Sequence, residues 1–144
     1  MIFATTCLAL DQEGRVNVGA IWVISDTHFD HFNIIKLAGR PFETITDMHN
    51  CIVDRVNSVV QPYDKVYHLG DVTLERRDPG RLANVMRRMN GRWRLILGNH
   101  DHLSAPDYLA AGFEKVLSMR ELNGILFTHI PIHPAQFTRF RGNC

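Results

Sequence analysis

An α/β domain is the fold class this sequence predicts, and three observations carry it. The runs AIWVIS, KVYHL and WRLIL are rich in β-formers and too short for helices. Between them lie stretches whose apolar residues recur at helical spacing, so the chain alternates strand with helix. Each strand-like run also breaks off at a polar residue or at a glycine followed by one, and ligands gather at such strand ends in open α/β sheets. With 144 residues, 45% hydrophobic and 22% charged, the chain has the length and composition of one globular domain with a real core. A net charge of +1 points to no polyanion, membrane surface or acidic substrate.

Residues 1–19 form an N-terminal extension or a hairpin, built from IFATTCLAL and RVNVGA around DQEG. Residues 20–144 form a single domain without repeat, linker or low-complexity stretch. Its first strand is 20–25, ending at Asp26. A helix follows from Thr44 to Val59, with Ile45, Met48, Ile52, Val56 and Val59 on one face. Strand KVYHL then ends at Gly70-Asp71. Asp78 as N-cap and Pro79 in the first turn start a second helix, which carries Leu82, Val85, Met86 and Met89 and stops at Asn90-Gly91. Strand WRLIL ends at Gly98-Asn99, a short helix runs from Ser104 to Ala111, and strands at 115–118 and 124–127 follow, the last ending at Thr128-His129. The opening MIFATTCLAL lacks the basic region and length of a signal peptide, and no run reaches the ~18–20 apolar residues of a membrane span. Cys7, Cys51 and Cys144 make no CxxC spacing and are odd in number, which fits free thiols in a reducing, cytoplasmic compartment.

Four strand ends therefore carry Asp26-Thr27-His28, Gly70-Asp71, Gly98-Asn99-His100-Asp101 and Thr128-His129. Carboxylate, imidazole and amide oxygen together suit divalent ions such as Mn²⁺, Fe²⁺ or Zn²⁺. The set is larger than one ion needs. Two ions about 3.5–4 Å apart would use it, with Asp71 as the bridging carboxylate, and such a pair activates water and clamps a phosphoryl group. Gly70 and Gly98 let the chain turn tightly after a strand. His100 is placed to protonate a leaving oxygen, with Asp101 fixing its tautomer.

The ordered set DxH, GD, GNHD and a later lone histidine resembles the calcineurin-like metallophosphoesterases. The stretches SDTHFDHFNII, VYHLGDV, LILGNHD and THIPIHP look like the small bacterial and phage branch, from about Ile21 onward. The resemblance implies an α/β/β/α sandwich around a dinuclear centre, with Asp26, His28 and Asp71 on one metal and Asp71, Asn99 and His129 on the other. Two divalent ions are the implied cofactor, Mn²⁺ first, with Fe, Zn or Ni as alternatives. The family's final GHxH is absent from these residues, so the expectation is a C-terminally incomplete site, and whether a GHxH follows Cys144 is not something the sequence tells. His133 and Cys144 are the nearby substitutes; prolines on either side of Ile132-His133 turn an extended loop, and a soft thiolate matches a hard site poorly.

The expected function is phosphoester hydrolysis, phosphomonoester or phosphodiester, by a metal-bound hydroxide with His100 at the leaving group. Two rivals remain: an inactive metal-binding or scaffold module, and a nuclease using the seven arginines between Arg76 and Arg94. A solvated helix face explains those arginines better in a nearly neutral chain. His31 is either a substrate or outer-shell residue or a loop histidine without a role, and His68 inside its strand reads as a satisfied sheet residue. His49 and His102 receive no role.

Overall fold

The computed structural model describes the backbone of residues 4–10 and 16–139 and the side chains of residues 19–136. Strand β1 (Ala4–Leu10) pairs antiparallel with β2 (Val16–Ile24), from Ala4 opposite Trp22 to Leu10 opposite Val16. From β2 onward the sheet is parallel: β3 (Lys65–His68), β4 (Arg92–Ile96) and β5 (Phe113–Leu117) follow side by side in chain order.

That sequential order decides the layering. Right-handed crossovers that always advance in one direction leave every connecting helix on the same face of the sheet. The connecting helices α2 (Ile45–Val59), α3 (Pro79–Met86) and α4 (Ala105–Ala111) accordingly share one core with the sheet, in which Val53, Val56, Leu82, Met86, Tyr108 and Ala111 meet Val66, Trp93, Leu95 and Phe113. Each helix starts on a side-chain cap. Thr44 accepts from the Asp47 N–H, Asp78 from the Gly80 N–H, and Ser104 forms a reciprocal capping box with Asp107. A β-bulge in the β4–β5 pairing, between Trp93 and Arg94, puts both Phe113 and Val116 against this core despite their odd spacing.

On the opposite face, Ile21, Tyr67 and Ile96 are buried without any helix. A hairpin takes its place: β6 (Arg120–Leu122) and β7 (Ile125–Phe127) are joined by Asn123-Gly124, both with positive φ (52° and 76°). The Phe127 ring stacks on Tyr67 at 6.0 Å, and Arg94 is buried beside Tyr67 with its charge matched by Glu114 at 2.7 Å. The result is an α/β sandwich with helices outside one face and β-structure outside the other.

Several details depart from the expectations. Helix α3 ends at Met86 rather than running to Met89, because Arg88 and Met89 donate to Val85 and Met86 in tight turns that still bury Met89. A four-residue helix α1 (Ile34–Leu37), strand β6 and a 3₁₀ turn (Pro134–Arg139) were not foreseen. Six of the seven arginines have side-chain partners: Arg76 with His102, Arg81 with Asp30 and Glu75, Arg87 with Asn84 one turn back, Arg88 with Asn50, and Arg92 and Arg94 with Glu114. Cys51 is a half-buried free thiol; Cys144 and the side chain of Cys7 lie outside the described residues. Among the described residues no helix is long and apolar enough to cross a membrane.

Candidate metal centre

Three of the expected ligands stand on backbone that side chains rarely adopt. Asp26, His28 and Asp71 have φ of 57°, 51° and 56°, in the left-handed region. Neighbouring hydrogen bonds hold them there. The N–H groups of Asp26, His28 and Phe29 donate to the carbonyls of Gly70 (3.0 Å), Asp71 (3.0 Å) and Val72 (2.8 Å), so the two turns run together past the end of the sheet. Beneath them His68, fully buried, accepts at Nδ1 from the Gly70 N–H (3.2 Å), which makes Nε2 the donor to Thr27 Oγ1 (2.9 Å). The Thr27 hydroxyl passes the chain on to the Val72 carbonyl (3.0 Å). Both nitrogens are used only in the neutral ring, and burial pushes the His68 pKa down to about 3.

Asp101 has partners different from the expected one. Its carboxylate accepts from the backbone N–H of Asp71 (2.8 Å), Val72 (2.9 Å) and Gly98 (2.8 Å), tying the turn after β3 to the turn after β4. A group so occupied fixes loops, not the His100 tautomer. Gly70 does occupy the left-handed region (φ 99°), and a Cβ there would lie 2.6 Å from His129 Nδ1. Gly98 does not; its need is space, since a Cβ would collide with Asp71 Oδ1 and the Asp71 backbone nitrogen. The expectation of a tight turn at Gly98 is thus replaced by close approach of two strand-end turns.

Asp26, His28 and Asp71 each bring one ligand atom to a common spot, all within 4.8 Å of one another. Asp71 divides its two oxygens between neighbours: Oδ2 lies 3.7 Å from His28 Nε2, and Oδ1 lies 3.5 Å from His129 Nε2. His129 Nδ1 is 2.7 Å from the Leu69 carbonyl, which can only accept, so Nδ1 carries the proton. That leaves Nε2 facing Asp71 Oδ1 at 3.5 Å and Asn99 Oδ1 at 3.0 Å. An imidazole nitrogen, a carboxylate oxygen and an amide oxygen thus converge. Such an arrangement fits a cation, and the carboxylate, amide and imidazole set matches a hard or borderline divalent ion.

His28 is buried, and burial lowers its pKa, partly opposed by Asp71 and reinforced by Arg40 and His31. A neutral His28 is the form that ligates. The His100 N–H donates to Asp71 Oδ1 (2.9 Å), and its half-exposed ring stands over the same carboxylate, Nε2 to Oδ2 4.0 Å and 5.6 Å from the His28 ring. His31 joins this flank, 5.4 Å from the His28 ring, with a buried Nδ1 that has no partner; burial, His100 and Arg40 all lower its pKa. His133 turns to its own chain, Nδ1 accepting from the Ala135 N–H at 3.2 Å. Arg40, which no motif marks, reaches the turn carrying Asp26 and His28 from below. His49 is also occupied, accepting at Nε2 from the Asp30 N–H (3.0 Å).

A family model described as calcineurin-like phosphoesterase matches residues 19–140. An uncharacterised protein of Methanocaldococcus jannaschii is 41% identical over 81 residues, 56% of this chain and 46% of that protein. The crystal structure of a protein of unknown function from Aquifex aeolicus is similar in fold, with a TM-score of 0.61 and 31% identity, covering 81% of this chain and 64% of that one. This chain spans about half the length of the curated relative.

Proposed function

Because the chain belongs to the calcineurin-like phosphoesterase family, we propose that it hydrolyses phosphoesters at a two-ion centre bridged by Asp71. The observation that carries this reading is the division of the Asp71 oxygens between the His28 side and the His129 side, at 3.7 and 3.5 Å. Asp26, His28 and Asp71 would hold one ion, and Asp71, Asn99 and His129 the other. Mn²⁺ is the proposed ion, in keeping with mixed carboxylate, amide and imidazole donors. Divalent ions so held supply Lewis-acid stabilisation of phosphoryl oxygens and activation of water.

The chain's own residues do the rest. Asp71, anchored through its backbone by Asp101, keeps its carboxylate between the two ligand groups. His100 stands at the open edge of the cluster with its backbone fixed on Asp71, within reach of a departing alcohol oxygen, to which its ring would give a proton. His31 lies on the same flank as a phosphoryl-oxygen contact.

Protein loaded with Mn²⁺ is to be assayed on an aryl phosphomonoester and an aryl phosphodiester, beside Asp71→Asn and His100→Ala. Turnover should disappear in Asp71→Asn. His100→Ala should lose roughly 10²–10⁴-fold, most steeply for the poorer leaving group. Wild-type turnover no greater than that of Asp71→Asn would overturn the catalytic reading.

A further inference from the structure

We infer that Arg40 is a positioning residue for the Asp26–His28 ligand turn, acting through the backbone carbonyls of Asp26 and Thr27; this rests on the two-ion reading above. In an extended chain successive carbonyls point to opposite sides. The left-handed φ at Asp26 and His28 brings two of them to one side, and a single guanidinium takes both. Arg40 Nη2 donates to the Asp26 carbonyl (2.6 Å) and Nη1 to the Thr27 carbonyl (2.9 Å), while Nη1 also rests 3.2 Å from Sδ of the fully buried Met48.

The local chain is arranged to deliver this fork. Helix α1 buries none of its residues, so core packing does not account for it. Its exit turn, with Gly39 at φ 57°, returns the Arg40 N–H to the Ile35 carbonyl (2.8 Å) and brings the side chain under the ligand turn. Met48 of α2 then fixes the guanidinium from the other side. A planar fork with two parallel donors suits two carbonyls held side by side; an ammonium on a flexible stem does not reproduce it.

Charge and position make opposite demands here, which renders the inference testable. A guanidinium beside a divalent-ion site repels the ion, so if charge were its only effect, its removal would tighten binding. If Arg40 instead holds the turn that presents Asp26 and His28, its removal loosens binding, and lysine, which keeps the charge, fails to restore it.

The experiment is Mn²⁺ titration calorimetry on the full chain for wild type, Arg40→Ala, Arg40→Lys and Asp71→Asn, with amide hydrogen exchange on the same proteins free of metal. Arg40→Ala and Arg40→Lys should each weaken Mn²⁺ binding by about tenfold or more. Both should also speed exchange at Asp26, His28 and Phe29, whose N–H groups bond to the neighbouring turn. Unchanged or tighter binding in Arg40→Ala, or full recovery in Arg40→Lys, overturns the inference. Were wild type to bind no Mn²⁺, the two-ion reading would fall, and the exchange data alone would decide Arg40: unchanged protection refutes its hold on the turn. Should Arg40→Ala not fold, Arg40→Gln, which keeps a donor for one carbonyl, carries the same comparison.

Discussion

A histidine on the last residue of a buried strand must satisfy two ring nitrogens without water, and His68 does so between Gly70 and Thr27. Its pKa of about 3 in the fold lies below the ordinary 6.5. Between those values the unfolded chain binds a proton that the folded one refuses. The stability contributed by neutral His68 is therefore complete above pH 6.5 and drains as pH falls toward 3, at a limiting slope of about 1.4 kcal/mol per pH unit. His28 and His49, both lowered mainly by burial, act in the same direction. The test is thus a difference: urea unfolding at pH 7.5, 5.5 and 4.5 should show a shallower pH dependence in His68→Gln than in wild type. Equal slopes would remove His68 from this role. Residues of this kind explain what could be read at this scale. That Asp26, His28, Asp71, Asn99, His100 and His129 would come to one place was legible, because each stands at or just past a strand end. Asp101 and Arg40 act on backbone groups, and nothing in residue type or spacing announces which amides or carbonyls will turn toward them.

The hairpin β6–β7 shows how an element can be missed although its signal is printed in the chain. Arg-Glu-Leu alone is too short and too polar to read as a strand, but Asn123-Gly124 followed by Ile-Leu-Phe is a strong two-residue turn signal. Both turn residues have positive φ, and a Cβ at Gly124 would meet nothing within 4 Å. Gly124→Ala should consequently cost only the left-handed penalty, about 1–2 kcal/mol, read as a lower urea midpoint, with Mn²⁺ affinity unchanged. A fall in Mn²⁺ affinity would show that the hairpin helps to hold His129. Helix α2 was legible in extent, from its Thr44 cap to Val59, but its buried face was misjudged by about one residue. Met48, His49, Val53 and Val56 face inward while Val59 is 39% exposed, because His49 packs edge-on to Phe29 and accepts from Asp30. Hydrophobic spacing has no means of foreseeing a buried histidine on the inner face.

At the scale of the whole molecule, alternation of strand and helix was enough to announce an α/β fold, whereas the placement of all connecting helices on one face follows from strand order, which periodicity does not encode. The cores of the ligand turns are joined by the chain itself, through Asp101 and through the Gly70–His68–Thr27 link. Removal of metal should therefore lower the melting temperature without unfolding the protein at 25 °C. Mn²⁺ at about a hundred times its dissociation constant should restore roughly 2.7 kcal/mol for each ion bound. Loss of the far-UV helix signal on adding EDTA at 25 °C would contradict this. The sheet's simple order also has a consequence for synthesis. Strands β2 to β5 pair with their immediate successors, so a chain leaving the ribosome can add each one to the edge already formed. Asp26, His28, Asp71 and Asn99 all precede His129 in the chain, so His129 is the last of the set to be synthesised, and it joins the others through the Leu69 carbonyl at Nδ1 and Asn99 Oδ1 at Nε2.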